Sequence, residues 1–270
     1  MKWRTSLQSV ILPLALLALW HVATNYGWVS PQRLPTPLAV LQRWWAYLLP
    51  TTPYSLDSGA WWRWAISGEL LLDIAASMYR VVLGFALGAL LGLPLGLLMG
   101  ANQRIYALCN STVQVLRPIP PIAFIPLAML WFGLGNPPAV FLIALGAFFP
   151  ILMNTIAGVR QVDGIYLRAA RNLGASQWTI FARVILPAST PSILTGVRVG
   201  IGTAFIVVIV AEMIAANNGL GFRISEAREY FWLDKILAGM LTIGMLGMAI
   251  DAAMNHLTNY LLRWHRGLEH

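Results

Sequence analysis

Six apolar stretches, at about residues 7–25, 79–100, 105–131, 138–159, 191–214 and 236–261, leave this chain few structures to fold into. Each approaches or exceeds the roughly 20 residues a helix needs to cross a bilayer. Hydrophobic residues make up 58% of the chain and charged residues 10%, whereas about a quarter of a soluble domain is charged. The mean hydropathy of +0.68 agrees. The expected fold is all-α and polytopic, about six transmembrane helices in one domain over residues 1–267. The closing Leu268-Glu269-His270 reads as an expression-tag scar. The N-terminal run after Lys2 and Arg4 could be a signal peptide, but it is long for one and no clean small-x-small cleavage site follows, which favours a retained span.

A net charge of +8 and a pI near 10.1 would suit nucleic acid in a soluble protein. In a membrane protein, basic residues instead collect in cytoplasmic loops, so no nucleic acid partner is expected. With the N-terminus inside, nine basic residues fall on the cytoplasmic side: Lys2, Arg4, Arg104, Arg160, Arg168, Arg171, Arg183, Arg263 and Arg266. Six fall outside (Arg33, Arg43, Arg63, Arg223, Arg228 and Lys235), where six acids match them: Asp57, Glu69, Asp73, Glu226, Glu229 and Asp234. The bias puts both termini in the cytoplasm. The single Cys109 excludes an intrachain disulfide, and the four histidines (His21, His256, His265, His270) lack metal-ligand spacing.

The segment 26–78, external in this topology, is rich in tryptophan: Trp28, Trp44, Trp45, Trp61, Trp62 and Trp64. Thr36-Pro37 opens an amphipathic helix there. It suits either a helix on the outer membrane surface or part of a platform for a soluble partner. In the second span Gly84, Gly88, Gly92, Gly96 and Gly100 recur every fourth residue. They form a ridge where another backbone can approach closely, for packing or for a gate helix.

The third span carries Leu116-Arg117-Pro118-Ile119-Pro120-Pro121, with Pro126 beyond. Prolines there break the helix, and broken backbone at membrane depth survives only against protein or a water-filled cavity. Arg117 beside the break either lines a substrate path or makes a structural ion pair. Pro118, Pro120, Pro121 and Glu212 are further candidates for the path. Arg80 and Arg198 read as lying near span ends, where snorkelling accounts for them. Glu212 and Asp251 are the acids within spans, each a partner for an arginine or a functional group.

Between spans four and five, about residues 160–190 are polar, cationic and patterned. Val162 to Leu173 can form a short helix stopped by Gly174. Ser176 caps a second helix running to Leu186 and closed by Pro187, and Thr190-Pro191 restarts a helix into span five. Ala169 and Ala170 keep one face low, so a groove in a partner could receive it.

This segment resembles the cytoplasmic "EAA" loop in permease subunits of bacterial ABC importers: Glu-Ala-Ala, three residues, Gly, nine residues, Ile-x-Leu-Pro. Ala169, Ala170, Gly174, Leu186 and Pro187 match it, while Arg168 stands at the usual Glu and Val184 at the Ile. Leu116-Arg-Pro-Ile-Pro-Pro, Leu130-Trp-Phe-Gly, Phe149-Pro, Gly196-Val-Arg-Val-Gly and Ala211-Glu-Met-Ile-Ala-Ala-Asn-Asn-Gly-Leu-Gly-Phe are similar to the nitrate, sulfonate and taurine branch. The resemblance implies a type I importer permease in the bacterial inner membrane. It would pair with a second permease copy and bind two cytoplasmic ATPase subunits through Ile165 to Trp178. A periplasmic or lipid-anchored binding protein would deliver the substrate. The sequence contains no Gly-x-x-x-x-Gly-Lys-Ser/Thr loop, so ATP and Mg are expected on the ATPase partners and no cofactor in this chain. An aliphatic sulfonate, nitrate, taurine or bicarbonate is the implied cargo.

Two rivals come from other classes. An intramembrane enzyme would need a nucleophile and base or a metal cluster on facing spans, and Ser192 and His256 form no such motif. A stand-alone channel or secondary transporter would show paired broken segments in repeated halves, a repeat this sequence lacks.

Overall fold

A computed structural model describes residues 2–30, 32–50, 61, 64 and 66–262, with residues 2–10 described by backbone alone. The expectations resting on Asp57, Trp62, Arg63, Arg263, His265, Arg266 and 268–270, and on the side chains of Lys2 and Arg4, lie outside the described residues. Every regular element described is helical: α1 (Lys2–Asn25), α2 (Pro37–Leu48), α3 (Glu69–Ala101), α4 (Gln103–Leu116), a 3-10 turn (Pro121–Phe124), α5 (Ile125–Phe132), α6 (Asn136–Arg160), α7 (Gly164–Asn172), α8 (Gln177–Ile180), a π turn (Phe181–Ile185), α9 (Leu186–Ala215), α10 (Leu220–Glu229) and α11 (Leu233–Leu261). Contacts divide the chain into two compact units, Met1–Ala75 with Asn218–Met245 and Ala76–Asn217 with Leu246–His270.

Four helices are long and apolar enough to cross a membrane, and the bent pair Gln103–Leu116 with Pro121–Phe132 makes a fifth. In α1 the apolar stretch Ile11–Asn25 is shorter, and the rest of the run expected over 7–25 falls on residues described by backbone alone. The third span is broken as the prolines require, with an 81° bend between its arms.

In the first unit, Thr36 caps α2 by accepting the Ala39 N–H at 3.2 Å, and Pro37 opens the helix. Pro37, Val40 and Tyr47 face inward, whereas Leu38, Leu41 and Trp45 form an exposed apolar stripe. Trp44 donates its indole N–H to Thr242 at 3.0 Å. Asp73 is the polar centre of this unit: it accepts from the Tyr47 hydroxyl, from the Gly219 N–H at 3.0 Å and from Arg223 Nε at 3.0 Å. Arg223 also bridges to Glu69 (2.7 Å) and Glu226 (2.8 Å), Lys235 to Glu69 (3.2 Å), and Arg43 to Asp234 (2.7 Å). Four of the acids that balance the bases of this region in sequence thus touch three of those bases in space. Burial, then the bond to Asp73, pushes the Tyr47 phenol far above its ordinary range, so it stays a donor.

In the second unit α6 is the central helix. The glycine ridge of α3 lies on it so closely that a Cβ at Gly84 would sit 2.6 Å from Ile143 Cβ, and one at Gly88 2.5 Å from the Ala144 carbonyl oxygen. Gly92, Gly96 and Gly100 meet Phe148, Thr155 and Val159 in the same way. An adjoining face of α6 receives α9: a Cβ at Gly196 would lie 2.7 Å from Asn154 Cβ, and one at Gly158 2.6 Å from Ser192 Cβ. Small residues let backbones approach where lipid supplies no hydrophobic drive between helices. Met99, Val113, Leu152 and Ile156 close a core cluster among α3, α4 and α6.

Two outcomes follow for variants of the purified protein in detergent. Gly88→Val should lower stability by about 1–3 kcal/mol through overpacking, whereas Gly202→Ala, with open space around it, should leave the thermal midpoint nearly unchanged. Tyr47→Phe should cost about 1–2 kcal/mol by removing one donor to a buried carboxylate, less than Asp73→Ala in the same melting assay.

Candidate functional site

The patterned segment 160–190 forms as a cap-by-cap construction of short polar elements. Asp163 caps α7 by accepting the Ile165 N–H at 2.8 Å. Gly174, at φ +75°, ends it: its N–H reaches the Arg171 carbonyl at 2.9 Å, and the Ala175 N–H reaches Ala170 at 3.1 Å. This is the paired closure that needs a residue tolerant of left-handed backbone. Ser176 then accepts the Thr179 N–H at 3.2 Å and starts α8.

The segment leaves large apolar groups uncovered: Ile165, Tyr166, Leu173 and Trp178 are each at least 60% exposed. Arg168 and Ala169 are exposed and Ala170 half-buried on the same short helix. Exposed apolar groups of this size, in a segment that also carries Arg168 and Arg171, are of the kind found at interaction sites.

Pro187 does not close the second helix, and Thr190-Pro191 does not restart one. The helical course is continuous from Gln177 to Ala215. The reason is the π turn, in which the Leu186 N–H bonds back to Phe181. The widened turn accommodates the proline ring where an α turn would set it against the carbonyl of the preceding turn. Leu186 and Pro187 therefore open α9, and Ser189 and Thr190 donate their hydroxyls to the Leu186 carbonyl at 3.1 and 2.8 Å.

At the broken span, α4 ends at Arg117, whose N–H still bonds Val113 at 2.9 Å. Pro118 follows in the turn, Pro120 adopts ψ 137°, and Pro121 begins the 3-10 turn. A cavity of about 320 Å³ opens beside the break, lined by Arg117, Pro121, Phe149, Met153, Asn154 and Thr203 among others. Asn154 donates to the Pro150 carbonyl at 2.8 Å, and Thr203 to Val199 at 2.9 Å. Sequence reasoning singled out neither residue. Both sit in predominantly apolar runs, and only the packing of α6 against α9 brings them to Arg117. No salt bridge to Arg117 occurs among the described residues.

Arg80 and Arg198, for which snorkelling is the expected account, each make an ion pair. Arg80 is 2% exposed within α3 and bonds Glu212 at 2.5 Å and Asn136 at 2.8 Å. Glu212, fully buried in α9, also accepts the Ser77 hydroxyl at 2.8 Å. Arg80 is short of a water surface to reach, and the acid opposite it supplies what snorkelling would. Glu212 does not line the cavity beside Arg117. Arg198 meets Asp251 at 2.6 Å between α9 and α11. Among the described residues no group of three or more His, Cys, Asp or Glu side chains is placed to hold a metal ion.

Helices long enough to span, a broken third span and an exposed helical segment leading into α9 define a membrane transport component. Residues 92–266 match the family described as binding-protein-dependent transport system inner membrane component, and the chain belongs to that family. It is 35% identical over 97% of its length to the putative aliphatic sulfonates transport permease protein SsuC of Bacillus subtilis (strain 168), covering 89% of that protein. It is 33% identical over 98% of its length to the taurine transport system permease protein TauC of Escherichia coli (strain K12), covering 94%. Its fold is shared with an inward-facing MetNI methionine ABC transporter structure, at a TM-score of 0.63 and 19% identity over 73% of this chain and 97% of that one. Like those relatives, the chain is a permease of an ABC transporter, and not itself an enzyme.

Removing one member of a buried ion pair strands the other, at a cost of about 3–5 kcal/mol. Glu212→Ala should therefore lower the thermal midpoint sharply, and Arg80→Met combined with Glu212→Leu should recover most of the loss.

Proposed function

We propose that the chain is the permease of an ATP-driven importer that carries a small anion (an aliphatic sulfonate, nitrate, taurine or bicarbonate) across the inner membrane by alternating access. The exposed segment 160–190 carries this reading: its apolar cluster opens directly into a continuous helix of 39 residues. A partner seated on Ile165, Arg168, Ala169, Ala170 and Trp178 would hold one end of α9. ATP-driven closure of two ATPase subunits, which bring ATP and Mg, would then move the helix as a rigid lever. A second copy of the chain completes the translocation path, and a periplasmic or lipid-anchored binding protein delivers the cargo. Both termini face the cytoplasm in this arrangement.

The names of the relatives, aliphatic sulfonates and taurine among them, support an anionic cargo. Within this reading the path runs beside Arg117, Pro118, Pro120 and Pro121, while Glu212 acts with Arg80 to tie α3 to α9.

Gly174 tests the docking. Nothing lies within 4 Å of the position a Cβ would take, so a substitution acts through the positive φ alone. Gly174→Val, at a strain of about 1–3 kcal/mol, should weaken ATPase association roughly ten- to a hundredfold, with transport and substrate-stimulated ATP hydrolysis falling in parallel. The variant should still elute as a folded membrane protein. Normal co-purification and transport would refute the docking assignment.

A further inference from the structure

We infer that the cavity at the broken span is an anion-binding station built for an oxyanion with a short organic tail. The inference rests on the reading of the chain as an anion importer's permease. Its physical basis is the position of Arg117. Arg117 stands at the break between the two arms of the bent span, Gln103–Leu116 and Pro121–Phe132. An arginine within a span is costly unless it meets an acid, a carbonyl cluster or a water-filled space. Arg80 and Arg198, toward the middle of α3 and α9, each have a carboxylate, Glu212 and Asp251. Arg117 has no such bridge among the described residues and borders a cavity.

The rest of the lining suits a tailed oxyanion. The Asn154 amide spends one N–H on the Pro150 carbonyl and keeps a second. The Thr203 hydroxyl, now on the Val199 carbonyl, can rotate to donate into the cavity. Phe149 and Met153 supply apolar surface for the tail. The guanidinium gives the charge, the amide and hydroxyl give direction, and release remains easy because the cavity is open.

The test uses the intact importer carrying Cys109→Ser and Val199→Cys, a position that lines the cavity and is 48% exposed. Three methanethiosulfonates are compared by mass of the modified chain: the anionic sulfonatoethyl, the cationic trimethylammonioethyl and a neutral alkyl reagent. Each charged rate is divided by the neutral rate, which corrects for any change in access. The anionic reagent should lead by about tenfold, as a focused positive potential gives. Arg117→Gln should abolish that lead and Arg117→Lys should keep most of it. A ratio indifferent to Arg117→Gln, or a cysteine unreactive to all three reagents, overturns the station.

In proteoliposomes, Thr203→Val and Asn154→Leu should raise KM several-fold for uptake of ethanesulfonate or nitrate. If the wild-type importer moves one of these and Arg117→Gln moves it equally well, the station falls while the importer reading stands. If the reagent ratio responds as expected but no anion is moved, the station stands and the importer reading falls.

Discussion

Inside a bilayer every charge and every broken hydrogen bond must be answered by protein or by a water-filled space, and the second unit of this permease is arranged around that requirement. Arg80 is answered by protein: it bonds Glu212 and Asn136, Ser77 in turn donates to Glu212, and α3 is thereby tied to α9 and to the start of α6. Such a cluster cannot open gradually, because half of it would leave a charge without a partner. It holds the helices in register where the glycine contacts alone would let them slide.

The glycine ridges make the close approach possible. With α3 and α9 on adjoining faces of α6, backbone lies where side chains would normally stand. The cavity at Arg117 opens where this packing gives way, at the 81° bend in the third span. Order at Arg80 and an opening at Arg117 are two solutions to one electrostatic problem, the first closed by protein and the second open.

A mechanical consequence attaches to the π turn at Phe181–Ile185. Had Pro187 ended the helix, the exposed segment would hang from α9 by a flexible joint. The wider turn admits Pro187, and the helix runs without a break from Trp178 past Thr203, which lines the cavity, to Glu212.

Much of this was legible in the residues. Five of the six expected spans, the bent pair counted as one, followed from apolar length, the bend from Pro118, Pro120 and Pro121, and the α7 stop from Gly174, because each depends on local backbone chemistry. The family could also be read from the Ala169-Ala170, Gly174 and Leu186-Pro187 spacing. Pro187 misled, since a proline that normally ends a helix is tolerated when the preceding turn widens, and nothing local announces that widening.

The pairing of Arg80 with Glu212, 132 residues apart, and the gathering of Arg117, Asn154 and Thr203 were not legible. By itself the sequence determined how much of the chain must lie in lipid, where its helices break and which segment stays polar, because these depend on the solvent and on neighbouring residues. Only the tertiary structure decided which charges are closed off and which faces open space, because that depends on the depth and rotation of helices far apart in the chain.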